Sequence, residues 1–141
     1  MDDVLTILAV ADTHFAREPG PDDRAPLPAS PLAIEWIRRA VSEARRVASP
    51  DVLVILGDLL NDHRSPRSER DRAELAAALR ELPLPCVIVP GNHDGDPESA
   101  WRAYGQQPGA LRARGRLLYA FGDSYAADDS TRRSEEALRA F

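Results

Sequence analysis

Apolar positions along the chain follow two rhythms. Residues 4–11, VLTILAVA, form an apolar, β-branched run, which predicts a strand buried on both faces. Residues 51–56, DVLVIL, 86–89, CVIV, and 116–121, RLLYAF, read as further strands. Between them the period lengthens. Ile34, Ile37, Val41, Ala44 and Ala48 share one helical stripe, with Ser30 as cap and Pro31 as first helical residue. Leu75, Leu79 and Leu82 mark a second helix from about Ser68 to Leu82. A short helix is expected around Trp101 and Tyr104, both read as core. A last helix begins near Ser134 and carries Leu138 and Phe141. Residues 15–31, rich in Pro, Asp and Ala, read as a mobile loop.

The resulting order is β-α-β-α-β-(α)-β-α. Helical crossovers between apolar strands predict an α/β fold with a mainly parallel sheet and flanking helices. In such sheets ligands bind beyond the carboxyl ends of the strands.

Polar clusters stand at three of those ends. Asp12 and His14 follow the first strand, and on extended chain positions i and i+2 project to one side. Gly57-Asp58 follows the second; the glycine permits a tight turn, and the carboxylate has two oxygens, enough to bridge two metals. Asn92, His93 and Asp94 follow the third, in IVPGNHDGD. Oxygen and imidazole ligands without thiolate suit Mn, Fe or Zn. Two such ions about 3.5–4 Å apart can clamp a phosphoryl group and lower the pKa of a bound water toward 7. Asn61 and Asp62 read as turn residues or supports for the ligands. His63, Asp128, Asp129, Arg132 and Arg133 read as solvated.

Charge narrows the partners. Net charge is −5, from 18 basic and 23 acidic residues, which speaks against a general polyanion-binding surface. Every basic residue is arginine, so lysine-based Schiff-base or P-loop chemistry is excluded. The single cysteine, Cys86, sits in an apolar run and reads as a small buried hydrophobe. No leader pattern opens the chain and no apolar run reaches membrane-spanning length, so the expected location is the cytoplasm.

DTH at 12–14, GDLLND at 57–62 and GNHD at 91–94, each after an apolar strand, resemble the signature of the calcineurin-like metallophosphoesterases. The resemblance covers residues 5–94 well and reaches loosely to 121. It implies the first half of that family's four-layer αββα fold. It also implies two divalent ions (Mn, Fe or Zn) and hydrolysis of a phosphomonoester or phosphodiester by a metal-activated hydroxide. Asp12 and His14 would bind the first ion, Asp58 would bridge, and Asn92 would bind the second. His93 would stabilise the transition state or protonate the leaving oxygen, and Asp94 would orient His93. GDLLNDHRSPRS also resembles the family's DNA-repair exonuclease branch. The acidic balance ranks a small phosphodiester or nucleotide above nucleic acid as substrate.

The family pattern continues with further histidines, whereas the three here are His14, His63 and His93. Residues 1–141 are therefore expected to form one metallophosphoesterase domain incomplete at its C-terminus. A truncated chain, a half completed by a second chain or by a homo-oligomer, and a degenerate binding or regulatory relative all fit that reading.

Overall fold

The computed structural model describes residues 4–23, 27–106, 109–126, 130–133 and 135–139. Strand β1 spans Ile7–Ala11. A 3-10 turn over Ser30–Leu32 leads into helix α1, Ala33–Val47. Strand β2 is Val52–Leu56, helix α2 is Ser68–Arg80 and strand β3 is Cys86–Val89. The three strands form one parallel sheet in the order β1-β2-β3, with Leu8 opposite Leu53 and Leu53 opposite Cys86. This is the mixed α/β architecture expected from the alternating periods. None of the described helices is long and apolar enough to cross a membrane.

The sheet's two faces are covered unequally. On one, Leu8, Val10, Leu53, Ile55 and Ile88 pack against Ile34, Ile37 and Val41 of α1 and Leu75 and Leu79 of α2. Each such aliphatic side chain, fully buried, contributes about 1.5–3 kcal/mol. The opposite face is covered on its β3 side, where Val52 and Val87 meet Trp101 and Ala120. Toward β1 it opens: Ile7 is 45% exposed and Leu56 51%. The expected double burial of residues 4–11 is therefore corrected. β1 is an edge strand in which alternate residues, Leu8 and Val10, are partly buried, and Ile7, Ala9 and Ala11 are exposed.

Ser30 does not cap α1 through its side chain; the residue preceding the helix is Leu32, also without a side-chain cap. The serine is turned inward, and its hydroxyl donates to Asn61 Oδ1 at 3.5 Å. Helix α3, Pro97–Ala103, is capped by Asp96, which accepts from the Ser99 N–H at 2.8 Å. Trp101 and Tyr104 are buried as expected.

The fourth strand departs from the parallel plan. β4, Gly109–Ala113, and β5, Arg116–Ala120, form an antiparallel hairpin of their own. Its turn, Arg114-Gly115, has φ of +48° and +70°, the two positive values that a twisted two-residue hairpin requires. β6, Asp123–Tyr125, pairs antiparallel with β7, Thr131–Arg133, and α4 covers Glu135–Arg139 with Leu138 exposed. Ser134, Phe141, Asp128 and Asp129 lie outside the described residues.

The outer edge of β3 is sealed by side chains. Gln106 donates from Nε2 to the Cys86 carbonyl at 2.7 Å and accepts the Ile88 N–H at 3.0 Å. The Trp101 indole donates to the Ile88 carbonyl at 2.7 Å. Backbone groups that a free edge would leave to solvent are thus satisfied within the chain.

Candidate metal centre

Pairing does not stop where β1 and β2 end. The N–H groups of Asp12, His14 and Phe15 donate to the carbonyls of Gly57, Asp58 and Leu59 at 3.2, 2.9 and 2.7 Å. The chain after β1 therefore runs beside the chain after β2. This brings Asp12, His14 and Asp58 together: one ligand atom from each lies within 4.8 Å of the other two. The reason differs from the sequence expectation. Asp12 and His14 are not extended; their φ angles are +53° and +47°, and that of Asp58 is +50°. Among the described residues only Ser49 and Arg114 share positive φ without being glycine. Such backbone costs of order 1–3 kcal/mol per residue and concentrates at functional sites.

Two glycines make room. Gly57, at φ +80°, lies against Gly91, so that a Cβ on Gly57 would sit 3.3 Å from the Gly91 Cα. A Cβ on Gly91 would meet the Asp58 backbone nitrogen at 2.5 Å and its Oδ1 at 2.2 Å. The carboxylate of Asp58 thus occupies space that only glycine leaves open. Its Oδ1 accepts the His93 N–H at 3.0 Å, and its Oδ2 lies 4.0 Å from His14 Nε2.

The two site histidines meet edge to face, with ring centroids 4.6 Å apart. Burial, and then His93, push the His14 pKa down against the pull of Asp58, Asp12 and Asp94. His14 is accordingly a neutral imidazole near pH 7, with a lone pair to give. Its Nδ1 is buried without a hydrogen-bond partner among the described residues. His93 Nδ1 lies 2.5 Å from the Asn61 carbonyl. A carbonyl only accepts, so Nδ1 carries the proton and Nε2 is left for the site.

Asp94 does a different job from the expected one. It is fully buried, and its carboxylate accepts the N–H groups of Gly91, Leu60 and Leu59 at 2.8, 2.9 and 3.2 Å. It ties the GNHD turn to the backbone after Asp58, while the Asn61 carbonyl orients His93. Burial pushes the Asp94 carboxyl up, and the three donors oppose that shift. Arg72 of α2, itself buried, donates to the Asp94 carbonyl at 3.1 Å and props the same turn from behind. Asn92 lies half-buried between Gly91 and His93.

His63 is not a free loop residue. Its N–H donates to the His93 carbonyl at 3.0 Å, and its ring packs on Gly95 closely enough that a Cβ there would sit 3.0 Å from the ring. Burial lowers its pKa. From its sequence Asn61 reads only as turn or support, because its decisive contact with His93 uses the main-chain oxygen. That contact has no signature in residue type.

Two carboxylates and a neutral imidazole, with no thiolate, are the donor set that hard to borderline divalent cations prefer. Separations within 4.8 Å suit one ion bound at about 2.0–2.2 Å per ligand after small side-chain adjustment. The residues present fit one divalent cation.

A comparison with curated proteins returns no match. A model of the calcineurin-like phosphoesterase family matches residues 5–135, which spans all three strand-end clusters. On that match the chain belongs to the calcineurin-like phosphoesterase family.

Proposed function

We propose that residues 1–141 carry a metal-dependent phosphoesterase domain acting on a phosphomonoester or phosphodiester. The observation that carries this reading is the convergence of Asp12, His14 and Asp58, all on left-handed backbone, at the carboxyl end of a parallel sheet. Asp12 and His14 would hold a first divalent ion, Mn, Fe or Zn. Asp58 would reach a second, with Asn92 as that ion's other ligand. A divalent ion held there polarises a phosphoryl oxygen and makes water acidic enough to be a nucleophile at neutral pH. The protein's own groups do the rest. His93, whose Nδ1–H is held by the Asn61 carbonyl and whose ring meets His14 edge to face, would carry a second proton on Nε2 when it acts, and there stabilise charge or pass that proton to the leaving oxygen. Asp94 holds the turn bearing Asn92 and His93 against the Asp58 turn, so the donors stay aligned.

Calorimetric titration of metal-stripped protein with Mn²⁺ tests the ligand set. At least one ion per chain is expected at Asp12, His14 and Asp58, and a second where Asn92 joins Asp58, together with hydrolysis of bis(p-nitrophenyl) phosphate that His93→Gln lowers about 100-fold. No binding, or turnover indifferent to His93, rejects the proposal.

A second reading, a binding or regulatory half that pairs with another chain, is supported by the open apolar face at Ile7, Ala9, Ala11 and Leu56. Light scattering decides it: a stable monomer at high concentration argues against pairing with a second copy.

A further inference from the structure

The segment after His14, read from sequence as a loose loop, is anchored to one residue of the site. Asn61 is 1% exposed and uses every polar group it has. Its N–H donates to the Phe15 carbonyl at 3.0 Å. Its side-chain Nδ2 donates to Asp23 Oδ2 at 3.3 Å, and its Oδ1 accepts from the Ser30 hydroxyl at 3.5 Å. Its carbonyl takes the His93 Nδ1 proton. Asp23 is in turn held by the Gly20 N–H at 2.7 Å and by Arg67 at 3.4 Å, with its side chain only 7% exposed.

We infer that Asn61 is a positioning residue through which the docked Asp23 and Ser30 fix the orientation and tautomer of the His93 imidazole. A backbone carbonyl holds a ring only as firmly as its peptide plane is held. The peptide unit before Asn61 is restrained by Phe15, and the Asn61 side chain by Asp23 and Ser30; together they fix the residue from which the carbonyl's peptide plane leaves. Releasing the side chain lets the plane rotate. The imidazole then reverts toward the Nε2–H form that free neutral imidazole prefers, and the ring loses the Nδ1–H hydrogen bond that held its orientation. Among the described residues, neither Asp23 nor Ser30 has a hydrogen bond to Asp12, His14, Asp58 or His93, and the hydrogen-bonded route from them to the ring runs through Asn61. The functional consequence rests on the proposed role of His93; the coupling itself does not.

The test uses the full ¹⁵N-labelled chain, whose three histidines are separately identified through His→Gln variants. Long-range ¹H–¹⁵N spectra read the tautomer directly. The wild type is expected to show His93 as Nδ1–H. Asp23→Ala is expected to move it toward Nε2–H, and Asp23→Asn, which keeps an acceptor for Asn61, to restore it. In the Mn²⁺-loaded protein, Asp23→Ala is expected to lower kcat on bis(p-nitrophenyl) phosphate about tenfold with KM and Mn²⁺ affinity unchanged. A folded Asp23→Ala protein that keeps His93 fully Nδ1–H overturns the inference. Should that variant not fold, Ser30→Ala decides: partial Nε2–H supports the coupling and an unchanged spectrum rejects it. If His93 responds to Asp23 while His93→Gln leaves turnover intact, the catalytic reading of His93 fails and the coupling stands.

Discussion

Strand β2 is bracketed by two aspartates in opposite circumstances. Asp51 precedes it and Asp58 follows it, and their side chains are almost equally exposed, 16% and 17%. Asp51 is answered by its own chain: Oδ2 accepts the Thr6 N–H at 3.0 Å and Oδ1 meets Arg114 Nε at 2.8 Å. The Thr6 hydrogen bond first, and Arg114 after it, hold its carboxyl below the usual carboxylate range. Asp58 faces a neutral His14 and a second carboxylate, Asp12, on strained backbone. Among the described residues no arginine pairs with either. Burial is the same at both ends, so the supply of positive charge makes the difference. One aspartate closes a structure, and the other leaves a charge for something outside the chain to balance.

The sharpest way to break this contrast is to neutralise each aspartate in turn. Asp58→Asn is expected to weaken Mn²⁺ binding by at least about 100-fold, beyond the loss typical of a supporting partner. It should leave the metal-free fold intact or firmer, because one like charge is gone. Asp51→Asn is expected to leave Mn²⁺ binding unchanged and to lower the thermal midpoint. Equal metal losses in calorimetry would erase the distinction.

A substitution near Asp58 should also be far less tolerable than one near Asp51. Gly91→Ala places a methyl group against the Asp58 backbone and carboxylate, neither of which can retreat. A cost of about 1–3 kcal/mol in urea unfolding is expected, along with loss of metal affinity. Wild-type stability in this variant would mean that the two turns are not in contact.

Acid should reach the two ends at different pH values. His14 and His63 have folded pKa values below the ordinary 6.5, so the folded state binds fewer protons in that window. Stability is then lost as pH falls through 6.5 toward the folded values. The depressed Asp51 acts later: its contribution persists above the unfolded value of 3.8 and disappears as pH falls through the folded one. His63→Gln should flatten the first slope in metal-free protein and leave the second in place.

The smallest effect concerns Cys86, at the quiet end of β3. Burial pushes its thiol up to about 12, so at pH 8 almost no thiolate exists. Labelling by a thiol reagent is expected to proceed at the rate of unfolding. Rapid labelling of native protein would show that this end opens.

Much of this was legible in residue type. Apolar runs ending in DTH, GD and GNHD located the strand ends, because burial and ligation both demand particular side chains. Two kinds of information were not available there. Which face of β1 is covered depends on what packs on it, so Ile7 reads the same in a buried strand and an open one. The β4–β5 hairpin was missed because its turn is Arg114-Gly115, where Asn-Gly is the stronger sign. The exchange of roles between Asp94 and Asn61 was also hidden, since carbonyls and N–H groups are common to every residue.

The seal that Gln106 and Trp101 place on β3 gives the sheet a direction of growth. With the Cys86 carbonyl and both Ile88 backbone groups already engaged, an incoming strand finds a poor hydrogen-bonding template on that side. Among the described residues β1 is the sheet's other edge strand, so any recruitment by swapping, assembly or aggregation is expected there, beside the exposed side chain of Ile7.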